Sequence, residues 1–413
     1  MRWQLLLSDH KNWREMKLKK YLIVGALLTL LAPAAEGAPK SIPVQLGSIF
    51  TPPAGSELLV QSGRNSIYIS NPTTKSSDIS LIALDLTGTQ AWQRTIDSGV
   101  DEVATAATLD PQGNIWLAGS AAIALPLETQ TPLTGFDNPD SVKIDADTKL
   151  RADMNNIALW KISPTGELLG SYLSPQVSLP LLTAISATNS GISLIGSLAG
   201  KPFLLTATTS GAYGKLISIG TNKTELNAVA RNSDGSTSIF GSSSETLAGK
   251  KVAGIRDGIL IKVSKSGAIT SLVRSSAQRA SRSWVSGDSV NLLSGPVITG
   301  KVVESAITKF SSTFAPIWTM RLPSAGASTT LTANGNSYLA FTSRSAITGV
   351  TGWRPTAPSL LVITFDSKGV MKAATALPGL VTPISFHYSK ERGVIGLASA
   401  ADGTVSIFTL VSR

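Results

Sequence analysis

Residues 78–120, DISLIALDLTGTQAWQRTIDSGVDEVATAATLDPQGNIWLAGS, decide how the rest of the chain is read. The stretch reads as four short strands and three turns. Gly88 and Asp110-PQGN mark two of those turns, because such residues supply positive φ and self-capping side chains. Variants of it recur to the C-terminus. Apolar opening strands begin at Ser80, Asn156-IALWKISPTG, Pro202-FLLTATTSG, Gly258-ILIKVSKSG, Ser305-AITKFSSTF, Ser359-LLVITFDSKG and Val405-SIFTLVSR. Closing strands such as IWLAGS, ISLIGS, SIFGSS, NLLSGP, YLAFTS and VIGLAS follow Asn/Asp/Gly turns in the same order each time.

The opening strands are apolar on both faces, so they must be covered on both sides, as when whole sheets stack. Four-stranded sheets repeated radially are a β-propeller, which also protects strand edges. A sandwich array or solenoid is disfavoured by the variable unit length. Fourth strands end near Asn71, Ser120, Ser197, Ser243, Pro296, Ser343 and Ser399, and first strands are equally numerous but offset. The N-terminal IPVQLGSIF, ELLVQSGRN and SIYISN resemble strands two to four without a first. Val405–Val411 resembles a first strand with nothing after it. The expectation is an all-β, seven-bladed propeller over residues 39–413 with four-stranded antiparallel blades. Three N-terminal strands plus one C-terminal strand would close the ring.

The units resemble the seven-bladed β-propeller repeat family of secreted bacterial proteins. The matching features are a first strand ending in a Ser/Asp-x-x-Gly turn, an aromatic in the second strand (Trp92, Trp318), a DxxGN-like turn, and a variable Thr/Pro-containing loop. Units five and six depart from the pattern, with the turn glycine and Gly-Ser ending eroded. The resemblance implies the fold and no particular reaction.

Residues 1–38 read as a signal peptide. Lys17, Lys19 and Lys20 precede the apolar run Tyr21–Leu31, and Ala32-Pro33-Ala34 suits cleavage. Met16 is taken as the start. The run falls short of the ~20 residues that span a bilayer, which disfavours a retained anchor. The expected location is therefore secreted, periplasmic or cell-envelope, with no membrane span after cleavage. The chain has no cysteine, which excludes disulfides and thiolate chemistry. Of the net charge of +10, about +3 belongs to the signal segment, and no Lys/Arg run interleaved with aromatics supports nucleic-acid binding. A monomer binding a protein or a cell-envelope glycan is expected.

The long insertions are expected on one face: 121–155, 244–257, 297–304 and 344–358. Loops of such length often carry function. The first holds Glu128, Asp137, Asp140, Asp145, Asp147 and Asp153 but no D-x-D-x-D-G ligand pattern, so no metal is expected there. His387 is the mature chain's single histidine, which argues against Ser-His-Asp and multi-His sites. No cofactor motif is present. Trp92, Trp160, Trp284 and Trp318 read as inter-blade core. Trp353 lies in an insertion with Arg344 and Arg354, and Lys250, Lys251 and Arg256 share another. Those six are the expected ligand-binding residues, since exposed aromatics with arginine characterise binding hot spots. The function expected is a non-catalytic exported scaffold. The alternative is a carboxylate-dependent glycan hydrolase or lyase, for which Asp97, Asp101 and Glu102 are the nearest cluster.

Overall fold

The Asp78–Ser120 repeat divides between two sheets. Ile79–Leu84 and Gln90–Ile96 complete an antiparallel sheet begun by Leu58–Ser62 and Asn65–Ser70. Glu102–Leu109 and Ile115–Ala121 open the next, which Asn156–Ile162 and Leu168–Gln176 finish. The computed structural model describes residues 41–73, 76–123, 154–276 and 278–410. The expected signal segment, most of the 121–155 insertion and the last three residues lie outside them. Residues 42–413 make up one unit and residues 1–41 another.

The same four-stranded plan recurs in Pro180–Thr188 with Gly191–Leu198, Lys201–Ala207 and Ile217–Ser218, and in Thr224–Arg231 with Thr237–Ser243, Asp257–Val263 and Ile269–Ser275. The fold is an all-β propeller of four-stranded antiparallel blades. Five such sheets stand alone where seven blades are expected from the sequence. The other strands form one ten-stranded sheet, because Pro316–Ala333 runs for 18 residues without a break. Its first part pairs with Val302–Phe310 and its second, from Ser324, with Asn336–Ser343, with a register shift between Ser324 and Ser328.

The two chain ends share a sheet, in the reverse of the expected proportion. Leu380–Ser389, Gly393–Ala400 and Val405–Thr409 come from the C-terminal side, and only Ser48–Phe50 from the N-terminal side. Ile42–Leu46 instead lies parallel to Met371–Leu377 on the ten-stranded sheet. Gly47 makes the crossing between the two sheets: its N–H donates to Ala376 O at 3.0 Å, and a Cβ there would meet Leu377 Cδ2 at 2.6 Å. The expected 297–304 insertion is no loop. Val297 pairs with Glu304 and Thr299 with Val302, so a tight hairpin joins Leu292–Thr299 to Val302–Phe310.

The repeat's sequence features have direct packing causes. Second and third strands such as Ile115–Ala121 and Asn156–Ile162 are buried on both faces, whereas the outer Gln90–Ile96 is largely exposed. Neighbouring sheets share cores: Trp116 and Ile157 of one pack with Leu194 and Phe203 of the next. The glycine of IWLAGS answers a bulge in the inner strand. The register shifts between Ala104 and Ala106, and a Cβ on Gly119 would stand 1.7 Å from Val103 O. Gly166, at φ 87°, lies under the indole of Trp92, on the outer strand of the preceding sheet, which donates from Nε1 to Pro164 O at 3.1 Å. In the eroded fifth unit Phe314 holds the turn's positive φ (63°) and buries its ring edge-on against Phe240.

Candidate functional site

Antiparallel alternation puts two kinds of connection at one end of each sheet: the loop from second to third strand, and the link from the outer strand to the next inner strand. They touch one another. Glu102 N donates to Ser77 O (2.7 Å), Ala122 N to Asp101 O (2.9 Å) and Ile255 N to Ala280 O (2.9 Å). This loop end carries the six expected binding residues and Asp97, Asp101 and Glu102.

The six expected binding residues are divided between two sheets. Lys250, Lys251 and Arg256 belong to the loop before Asp257–Val263, while Arg344, Trp353 and Arg354 precede Ser359–Phe365 in the ten-stranded sheet. Lys250, Lys251, Arg344 and Arg354 are exposed. Arg256 is half-buried and committed, with Nη1 on Glu225 Oε1 (3.1 Å) and Ser242 Oγ (2.9 Å). Trp353 departs from the expectation of an exposed aromatic. It is 8% exposed, its Nε1 donates to Ser343 Oγ at 2.9 Å, and its ring packs with Phe341, Ile347 and Leu361. An apolar ring beside an apolar turn gains more from covering the core than from facing solvent.

Two residues unmarked in the sequence reading build the 244–256 loop. Asp257, fully buried, accepts from Ala253 N and Gly254 N at 2.9 Å each and pairs with Arg274 Nη1 at 3.3 Å. Arg274 also donates to the carbonyls of Glu245 and Lys250. The loop is thus wrapped around an ion pair.

The carboxylates of the alternative reading do gather, with Asp78 as an added member. Asp78, Asp97 and Glu102 each place one oxygen within 4.8 Å of the others. Asp101 faces elsewhere in this network, accepting from Ser77 N at 2.8 Å. Burial pushes the Glu102 carboxyl above its usual range, and the charges of Asp97 and Asp78 add to that; hydrogen bonds from Ser98 oppose it.

Exposed aliphatic residues at the loop end are the feature sequence reading passed over. Leu179 is 68% exposed with φ 46°, Leu181 is 65% exposed, and Ile255 in the basic loop is 65% exposed. The run Leu179-Pro-Leu-Leu was the available signal, hidden because it also reads as the start of an apolar strand.

A cavity of about 560 Å³ lies among the inner strands. Seven strand segments line it: 58–59, 105–107, 183–185, 227–229, 285–287, 328–330 and 383–387. Its polar groups are hydroxyls, such as Thr105, Ser286 and Thr330, with Asn227 and His387. Desolvation pushes His387 down to about 4, so it is neutral at physiological pH. Such a lining offers hydrogen bonds.

No protein-family model and no curated protein matches the chain. Similar solved structures include BBS1N in complex with ARL6DN, at 12% identity and a TM-score of 0.49, covering 91% of this chain and 98% of that one. The β-propeller domain of the Trilobed protease from Pyrococcus furiosus is similar at 11% identity and a TM-score of 0.48, covering 89% and 97%. A putative 6-phosphogluconolactonase from Bacteroides uniformis is similar at 10% identity and a TM-score of 0.47, covering 84% and 92%. Among the described residues no helix is long and apolar enough to cross a membrane.

Proposed function

We propose that this protein is an exported propeller scaffold that binds a partner protein through its loop end. Export rests on the signal-like residues 1–38. We count the ten-stranded sheet as two blades joined within Pro316–Ala333, making seven. The seven segments around the central cavity support that count. The observation that carries the binding reading is the exposure of Leu179, Leu181 and Ile255 at the loop end. Apolar side chains at a loop-bearing surface, rimmed by polar groups, favour a protein partner. Lys250 and Lys251, exposed in the same loop as Ile255, add positive charge there, which suits an acidic partner surface. A glycan platform loses its main support with Trp353 inside the core.

The test is capture from cell-envelope extract with the full chain, comparing wild type with Leu179→Glu/Leu181→Glu. A protein retained by wild type and bound at least tenfold more weakly by the variant is the expected result. Equal capture by both sinks this surface.

The carboxylate-dependent hydrolase or lyase keeps one supporting observation, the upward-shifted Glu102 beside Asp97. Release of reducing ends from a polysaccharide, lost in Asp101→Ala/Glu102→Ala, would put that reading in place of the scaffold.

A further inference from the structure

We infer that Asp78, Asp97 and Glu102 form a binding site for a hard divalent cation of the calcium class. The three come from separate segments: Asp78 ends the loop before Ile79–Leu84, Asp97 follows Gln90–Ile96, and Glu102 starts the inner strand of the next sheet. Each gives one oxygen within 4.8 Å of the other two. Oxygens bound to one Ca²⁺ at about 2.3–2.6 Å lie no more than about 5.2 Å from one another, so three oxygens this close can share a single ion. The ligand set is all oxygen, which suits a hard cation and excludes soft ones.

Acidic clusters on surfaces are common, and Glu102 sets this one apart. It is 1% exposed, and its Oε2 has no hydrogen-bond partner. A buried carboxylate oxygen left unpaired is costly unless something positive meets it. Its other oxygen, Oε1, is held by Ser98 N (2.9 Å) and Ser98 Oγ. One oxygen of each neighbour is likewise fixed: Asp97 Oδ1 accepts from Gly99 N (2.7 Å) and Asp78 Oδ1 from Ser76 Oγ (2.8 Å). The loops thus pre-orient all three carboxylates. Among the described residues no ion pair joins any of them to Lys or Arg. Among the described residues negative charge is therefore concentrated without a paired counter-charge, and a bound cation supplies one.

Such an ion joins consecutive sheets. Glu102 belongs to the second sheet, and Asp78 and Asp97 flank strands of the first. The adjoining Asp101 carbonyl holds Ala122 N, at the base of the 121–155 insertion. Calcium at this point fastens the root of that insertion to the neighbouring sheet.

The experiment is calorimetric titration of the chelator-treated full chain with CaCl₂, with thermal unfolding in parallel. One Ca²⁺ per chain is expected, in the range of about 10⁻⁴–10⁻³ M typical of extracellular sites. The unfolding temperature rises with calcium by mass action. Asp97→Asn, at an exposed position, leaves the fold intact and weakens binding at least tenfold, and Glu102→Gln does the same or more. MgCl₂ gives a smaller shift. No heat and no thermal shift in wild type, or an unchanged calcium response in Asp97→Asn, overturns the site.

Discussion

Deleting residues 403–413 is expected to cost several kcal/mol or to abolish folding. The deletion removes Val405–Thr409, which lies between Gly393–Ala400 and Ser48–Phe50 and pairs with both. Phe408 is fully buried, with its ring 5.6 Å from that of Phe386, and Gly396 lies against it so closely that a Cβ would clash with the ring at 2.4 Å. Losing a buried Phe side chain alone costs about 3–5 kcal/mol. Ile407, also buried, goes with it, and two strands are left with unpaired edges facing one another. Total stability is only about 5–15 kcal/mol for a typical domain, so the loss is comparable with all of it. Thermal unfolding of the truncated chain reads the effect. An unchanged midpoint would mean that the last strand is dispensable.

Asp257→Ala is expected to destabilise by about 3–5 kcal/mol, the cost of leaving the other member of a buried ion pair alone. Arg274 would keep its carbonyl contacts but lose its counter-ion, and Ala253 N and Gly254 N would lose their acceptor. The double variant Asp257→Ala/Arg274→Ala should cost less than the sum of the singles, because the uncompensated charge is gone. Denaturant midpoints of the four proteins settle the coupling. Strict additivity would show that the pair does not hold the basic loop.

Much of the architecture is legible because it repeats. Strands buried on both faces announce themselves as unbroken apolar runs, and Gly119 and Gly166 are fixed by contacts that recur from unit to unit. Where a sheet begins is not legible, since a cyclic repeat can be cut at any of its turns. The cut falls after Ile96 only because the 97–101 link crosses to the next inner strand. For the same reason the N-terminal contribution to the shared sheet reads as three strands and is one. Pro316–Ala333 hides a sheet boundary inside a continuous strand, where no turn residue marks it. Trp353 misled because its flanking arginines are exposed, while its own partner, Ser343, ends the preceding strand. The carboxylate cluster is legible only in part. Asp97 and Glu102 are close in sequence, but Asp78 reaches them through the contact of Glu102 N with Ser77 O.

Ser48–Phe50 and Val405–Thr409, far apart in sequence, lie side by side in one sheet, and an introduced disulfide reports that pairing. The chain contains no cysteine, so a single introduced pair reports without background. Ser48 and Thr409 are register partners, and opposed residues of an antiparallel pair have Cα atoms about 4.5–5.5 Å apart, within disulfide range. Mild oxidation of Ser48→Cys/Thr409→Cys should give an intramolecular bond, faster migration on non-reducing gels, and an unfolding temperature above that of the reduced form. Failure to cross-link, or cross-linking only between chains, would contradict the pairing of Ser48–Phe50 with Val405–Thr409.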